Sequence, residues 1–248
     1  MKKILAISNS FGVDATRYLH DIAKNGGEEV KVVALYIGGC SLKRHYDNMI
    51  SGAKAYEVHS NGVFNGEFAG IEDSLLSDEW DIVTLQQASP VSGDESSYFP
   101  YIEELSAFVK KHAPNAKQYM HQTWAYPKGS KIFDVTPDLY KTREQMIPFI
   151  KNAYLSVAKK IGAVGIIPSL EIVELLYKEL GREVYRDDLH VSFGLGRYAL
   201  GCVWYGALFN KNPEAVDFCL LDEPCDEQKL ALARKLSAQV CREYGYID

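Results

Sequence analysis

Several things are missing from this chain of 248 residues, and each absence closes a class of function. There is no run of the ~20 consecutive apolar residues that a membrane-spanning helix needs. The apolar stretch behind Met1-Lys2-Lys3 is only about five residues long, too short for the core of a secretory signal. A cytoplasmic protein without a membrane partner is therefore expected. Positive charge is not in excess either: 27 Lys and Arg against 33 Asp and Glu leave a net charge of -6. Nucleic acid is not expected as a partner, because neutralising phosphates takes clustered Lys and Arg. The densest basic pairs, Lys110-Lys111 and Lys159-Lys160, read as solvated helix faces. Cysteine is sparse, odd in number at five, and never in a C-x-x-C pair. That fits reduced thiols better than a disulfide framework or a zinc site. The histidines lack metal-binding spacing such as H-E-x-x-H. No G-x-S-x-G, G-x-G-x-x-G or Walker pattern occurs, and no metal or cofactor is expected. Without a Pro/Gly/Ser-rich linker, a repeat or a low-complexity tract, residues 1–248 read as a single domain.

What is present is alternation. Short β-like runs at Lys3–Ile7, Val30–Tyr36, Trp80–Leu85, Lys117–His121 and Val164–Ile167 read as strands. Helical patterns lie at 13–25, 98–112, 139–161, 169–180, 194–209 and 226–243. Near-continuous apolar strands alternating with helices imply an α/β protein, with helices on both faces of a mainly parallel, doubly wound sheet of about five strands. The segment "YEVHSNGVFNGEF", residues 56–68, departs from this: Asn61-Gly62 between alternating residues predicts a small β-hairpin decoration. "CVWYGALF", residues 202–209, reads as a buried helix face that includes Cys202. Cys40, behind two glycines in a loop, is expected to expose its thiol.

In a sheet of this kind functional groups gather at the carboxyl ends of the strands. After the first strand come Ser8-Asn9-Ser10, and after the second Gly38-Gly39-Cys40-Ser41. After the third come Gln86-Gln87-Ala88-Ser89, and after the fourth Gln122-Thr123-Trp124. Much later, "YRDDLHVSFGLGRY" sets Asp187 and His190 just before a helix. A serine hydroxyl needs a base to take its proton, and histidine can do this near neutrality. The imidazole in turn needs a carboxylate to hold one tautomer. The spacing favours Asp187 over Asp188 for that role. Backbone N–H groups at a helix start, such as that of Ser10, and at a glycine turn, such as that of Gly39, can stabilise an oxyanion. A side-chain amide, Gln86 or Gln87, is placed to add a third donor; Gln87 is favoured because it lies further beyond the strand end.

These residues carry a resemblance. "NSF" at the first turn, "YIGGCSL", "DIVTLQQ", "TWAY" and "GRYALGCVWY" resemble a bacterial branch of the SGNH/GDSL hydrolase superfamily, over nearly the whole chain. The resemblance implies a three-layer α/β/α ester hydrolase. On it, Ser10 matches the nucleophile, Gly39 the oxyanion glycine, and Asp187 and His190 the other members of a catalytic triad. The sequence departs from the family at two blocks. Ser8-Asn9-Ser10 stands where Gly-Asp-Ser is usual, and the asparagine of the third block is replaced by Gln86-Gln87.

The expected function is hydrolysis of a small ester by a serine nucleophile through an acyl-enzyme. Ser10 has a competing role as the cap of the first helix, and Gly38-Gly39 as a mere turn. His45 and His121 are candidates to line the pocket. Trp124, Tyr98 and the rest of "HQTWAYP", residues 121–127, are candidates for an aromatic platform, which with Gln86 and His121 would bind substrate and would suit an acetylated sugar. Two other classes compete: a carbohydrate-binding domain that kept the scaffold without catalysis, and a flavodoxin-like binder of phosphate or flavin at the first turn. The second leaves Asp187 and His190 unexplained.

Overall fold

Ile4, Leu5, Ala6 and Ile7 are all within 1% of complete burial, as an apolar run at the centre of a two-sided sheet must be. They belong to β1 (Lys2–Ser8), the middle strand of the computed structural model, which describes residues 1–134 and 139–248. The other strands are β2 (Val30–Tyr36), β3 (Tyr56–Ser60), β4 (Val63–Ala69), β5 (Ile82–Leu85), β6 (Lys117–His121) and β7 (Gly165–Ile167). Their order is β4-β3-β2-β1-β5-β6-β7. The five expected strands pair in parallel, but the sheet has seven strands and is mixed. The difference is the hairpin: instead of standing apart, β3 continues the sheet antiparallel to β2, and β4 forms the exposed edge. Asn61 and Gly62, at φ 50° and 84°, supply the two positive-φ positions of its tight turn.

Nine helices flank the sheet among the described residues. On one side pack α1 (Ser10–Thr16), α2 (Leu19–Asn25), α7 (Ser169–Leu180), α8 (Leu195–Phe209) and α9 (Glu227–Glu243). On the other pack α3 (Leu42–Ser51), α4 (Ile71–Leu76), α5 (Tyr101–His112) and α6 (Arg143–Ile161). The helix expected over 13–25 begins earlier, at Ser10, and is split in two at Arg17-Tyr18. Helix α8 buries nearly every residue, Cys202 included, because it runs between the sheet and α9. The α3 and α4 helices have no counterpart in the sequence reading.

Register fixes where a site can form. Ser8 pairs with Tyr36, Ile7 with Leu85, Leu85 with Met120, and His121 with Ile167. The parallel strands therefore end together, and their following turns share one rim of the sheet. The first strand is flanked by β2 on one side and β5 on the other, so the turn after β1 sits where the strand order reverses.

Candidate active site

Asn9 lies between β1 and α1 as the N-cap of the helix. Its backbone is extended, and its side-chain Oδ1 accepts the Phe11 N–H at 3.1 Å. The capping role considered for Ser10 thus belongs to Asn9. Ser8 is fully buried and donates to the Leu35 carbonyl at 3.0 Å. Of the serines in this turn, Ser10 is the one left partly accessible, at the first helical position. Gly12 allows the helix to sit that close to β1: a Cβ there would lie 2.3 Å from the Ser8 Cβ.

The loop before α8 brings the other two residues in. A bridge between Tyr185 and Val191, and the Arg186 N–H on the His190 carbonyl at 3.1 Å, fold residues 185–191 back on themselves. Inside this fold Asp187 Oδ1 accepts the N–H groups of Leu189 at 2.8 Å and His190 at 2.6 Å. Its Oδ2 lies 2.7 Å from His190 Nδ1. On the far side of the ring, His190 Nε2 is 2.9 Å from Ser10 Oγ. The acceptor-only carboxylate makes Nδ1 the protonated nitrogen, so Nε2 offers a lone pair to the serine hydroxyl. Partial burial works against the Asp187 charge. The backbone donors of His190 and Leu189, together with the imidazole, outweigh it and hold the carboxyl below the usual range. Asp188 points elsewhere, to Arg182 and to the Lys131 N–H at 3.2 Å. Two groups steady the loop from outside. Trp124 Nε1 donates to the Leu189 carbonyl at 2.9 Å, and Ser130 Oγ to that of Asp188 at 2.7 Å.

The glycine turn lies beside Ser10's helix. Gly39 is exposed at φ 60°, and the next carbonyl, that of Cys40, accepts from Asn9 Nδ2 at 3.1 Å. Asn9 therefore joins the start of α1 to the turn after β2, a role not anticipated from the sequence. The one available signal was its place immediately before a helix, where Asn is a preferred cap.

Several expected site residues are held elsewhere. Gln87, the favoured third oxyanion donor, is buried. Its Oε1 accepts from Leu42 N at 2.9 Å and Ala88 N at 2.8 Å, and its Nε2 donates to Ser97. Gln86 is buried too, its Nε2 on Asn9 Oδ1 at 2.6 Å and its Oε1 on His121 Nδ1 at 2.7 Å. His121 Nε2 completes that chain against Ser169 Oγ at 3.1 Å. Neither amide is free to turn towards substrate, since each would leave buried partners unpaired. Trp124 and Tyr98 are fully buried, the first stacked on Phe11 and the second hydrogen-bonded to the Ser92 carbonyl. So Gln86, His121, Trp124 and Tyr98 form no substrate platform; they are the packing beneath the rim. His45 and Cys40 are likewise enclosed, side by side with Tyr56. Burial lowers His45 and His121 to about 3 and pushes the Cys40 thiol up to about 12, so its expected exposure is corrected. Among the described residues no group of three or more His, Cys, Asp or Glu could hold a metal ion. None of their helices is long and apolar enough to cross a membrane.

The family described as "Domain of unknown function (DUF4886)" matches residues 3–235. A DUF4886 family protein from Bacteroides uniformis, solved by crystallography, is similar at 30% identity and a TM-score of 0.87, over 96% of this chain and 94% of that one. A candidate SGNH hydrolase from Slackia heliotrinireducens is similar at 21% identity and a TM-score of 0.59, over 84% of this chain and 98% of that one. The psychrotrophic esterase EstA from Pseudoalteromonas sp., in a structure inhibited by monoethylphosphonate, is similar at 9% identity and a TM-score of 0.54, over 85% and 98%. No curated protein matches the sequence. The fold is that of the SGNH/GDSL hydrolases.

Proposed function

The chain belongs to the DUF4886 family, and from that premise we propose that it is a serine hydrolase of a small ester, with Ser10 as nucleophile, His190 as base and Asp187 as the group that orients the imidazole. The observation that carries this reading is the unbroken run of hydrogen bonds from Asp187 Oδ2 through His190 to Ser10 Oγ. A serine hydroxyl that merely capped a helix would not need a base, and a surface histidine would not need a carboxylate on its far nitrogen.

In the proposed reaction Ser10 Oγ attacks the ester carbonyl carbon while its proton passes to His190 Nε2. The carbonyl π electrons move onto oxygen, and the backbone N–H groups of Ser10 and Gly39 donate to that oxyanion. Asp187 stabilises the imidazolium without taking its proton. When the tetrahedral intermediate collapses, the bond to the alcohol breaks and His190 returns the proton to the departing oxygen. Water then repeats the sequence on the acyl-enzyme and frees Ser10. With Gln86 and Gln87 engaged elsewhere, the oxyanion depends on two backbone donors rather than three groups. The burial of Trp124 and Tyr98 takes away the aromatic platform on which an acetylated sugar was expected.

Short-chain nitrophenyl esters test the proposal. Wild-type protein should hydrolyse them, and Ser10→Ala and His190→Ala should abolish this while keeping the wild-type melting temperature. Hydrolysis by folded Ser10→Ala at the wild-type rate would overturn it.

A further inference from the structure

Asp14 is a carboxylate buried to 1% exposure on the same helix as Ser10, one turn further on. Both its oxygens meet Arg186 Nη1, at 3.1 and 3.0 Å, and Oδ1 also accepts from Arg197 Nε at 2.8 Å. Arg186 immediately precedes Asp187, and its Nε lies 3.9 Å from Asp187 Oδ2. The same Nη1 donates to the Val191 carbonyl, just past His190. One guanidinium therefore touches the Ser10 helix and both ends of the segment that carries Asp187 and His190. The contacts extend outward: Arg197 meets Asp222 at 3.0 Å, and Asp222 meets Arg17 at the end of α1. The Arg186 and Arg197 guanidiniums both lie against the Phe193 ring, 4.3 and 4.5 Å from its centroid.

A buried ion pair is poor value for stability, since an apolar pair of similar volume often does as well or better. What it does supply is direction. The arginine fork fits acceptors in one geometry only, and here those acceptors come from the two elements that must meet at the Ser10–His190 bond. We propose that Asp14 and Arg186 are positioning residues that hold the 186–191 loop to the Ser10 helix, so that His190 Nε2 faces Ser10 Oγ. The proposal rests on the reading of Ser10, His190 and Asp187 as the reacting set, but its structural part can be measured without any substrate.

The test compares Asp14→Asn, which keeps the side-chain volume, with Asp222→Asn, at the outer end of the same network. Asp14→Asn should lower kcat about 10- to 100-fold, the cost expected of a sub-ångström to ångström misplacement, with KM little changed. Asp222→Asn should leave kcat near wild type even where its melting temperature falls as far. Independently, nitrogen-15 spectra of the His190 ring at mildly alkaline pH should show the Nδ1–H tautomer in wild type and Asp222→Asn, and a tautomer mixture in Asp14→Asn. An unchanged tautomer together with an unchanged kcat in Asp14→Asn would overturn the proposal. So would equal kcat losses in both variants, which would mark a purely structural network. If the tautomer shifts as expected but wild-type protein hydrolyses nothing, positioning stands and the hydrolase reading falls.

Discussion

Gln86 Nε2 donates to Asn9 Oδ1 at 2.6 Å, so the residue just before Ser10 is held by a side chain from the end of the neighbouring strand. The link continues through His121 to Ser169 on one side and through Asn9 to the Cys40 carbonyl on the other. A single chain of polar contacts thus runs under the rim from α7 to the glycine turn. Gln86 serves the site by fixing the cap of the Ser10 helix.

Replacing Gln86 by Leu should therefore cost stability as well as activity. It strands the His121 Nδ1–H in the interior, at about 1–3 kcal/mol for a buried group left unpaired, and leaves Asn9 Oδ1 with the Phe11 N–H as its one donor. Chemical denaturation read beside ester hydrolysis checks this. A direct oxyanion role would instead appear as a fall in kcat at unchanged stability.

The orienting carboxylate is tested by a pair of variants. Asp187→Asn should lower turnover by roughly 10²–10⁴, because an amide in place of the carboxylate no longer enforces the Nδ1–H tautomer. Asp188→Asn should leave it close to wild type, since Asp188 pairs with Arg182 and the Lys131 N–H instead. Equal losses in the two variants would contradict the assignment.

Acid should destabilise the fold through His45 and His121. Burial holds both neutral in the native state, at about 3, whereas an unfolded histidine takes up its proton near about 6.5. Between those values unfolding binds protons. The stability from these two residues is therefore complete above about pH 6.5 and declines as the pH falls towards 3. Carboxylates add to the decline below about pH 5, so the slope above that belongs to histidine. Guanidinium midpoints measured from about pH 7 downward should show it, and His45→Asn should make it shallower. A flat profile down to about pH 5 would refute it.

The parallel sheet was legible in the sequence because strands buried on both faces read as unbroken apolar runs, as in Ile4–Ile7 and Val32–Leu35. Helix α3 was not: it buries only Leu42 and His45 along ten residues, too thin a stripe for periodicity to register. Asn61-Gly62 announced a hairpin, but nothing in residues 56–68 states that β3 will join β2. Ser10, Asp187 and His190 could be picked out because a strand-end serine and Asp-x-x-His are local patterns. The amides misled for a physical reason. A glutamine at a strand end looks the same in sequence whether it faces a pocket or, like Gln86 and Gln87, satisfies buried backbone and side-chain groups. Asp14 and Arg186 are 172 residues apart, and only the fold brings them together.

The proposed reaction turns on Ser10 Oγ being a nucleophile activated by His190. Treating folded protein with a fluorophosphonate and locating the adduct by peptide mass spectrometry tests it most directly, since a phosphorus centre captures an activated serine whatever ester is the true substrate. One adduct is expected, on Ser10, absent from both Ser10→Ala and His190→Ala. An adduct on Ser8 or Ser41, or no adduct on folded protein, would contradict it.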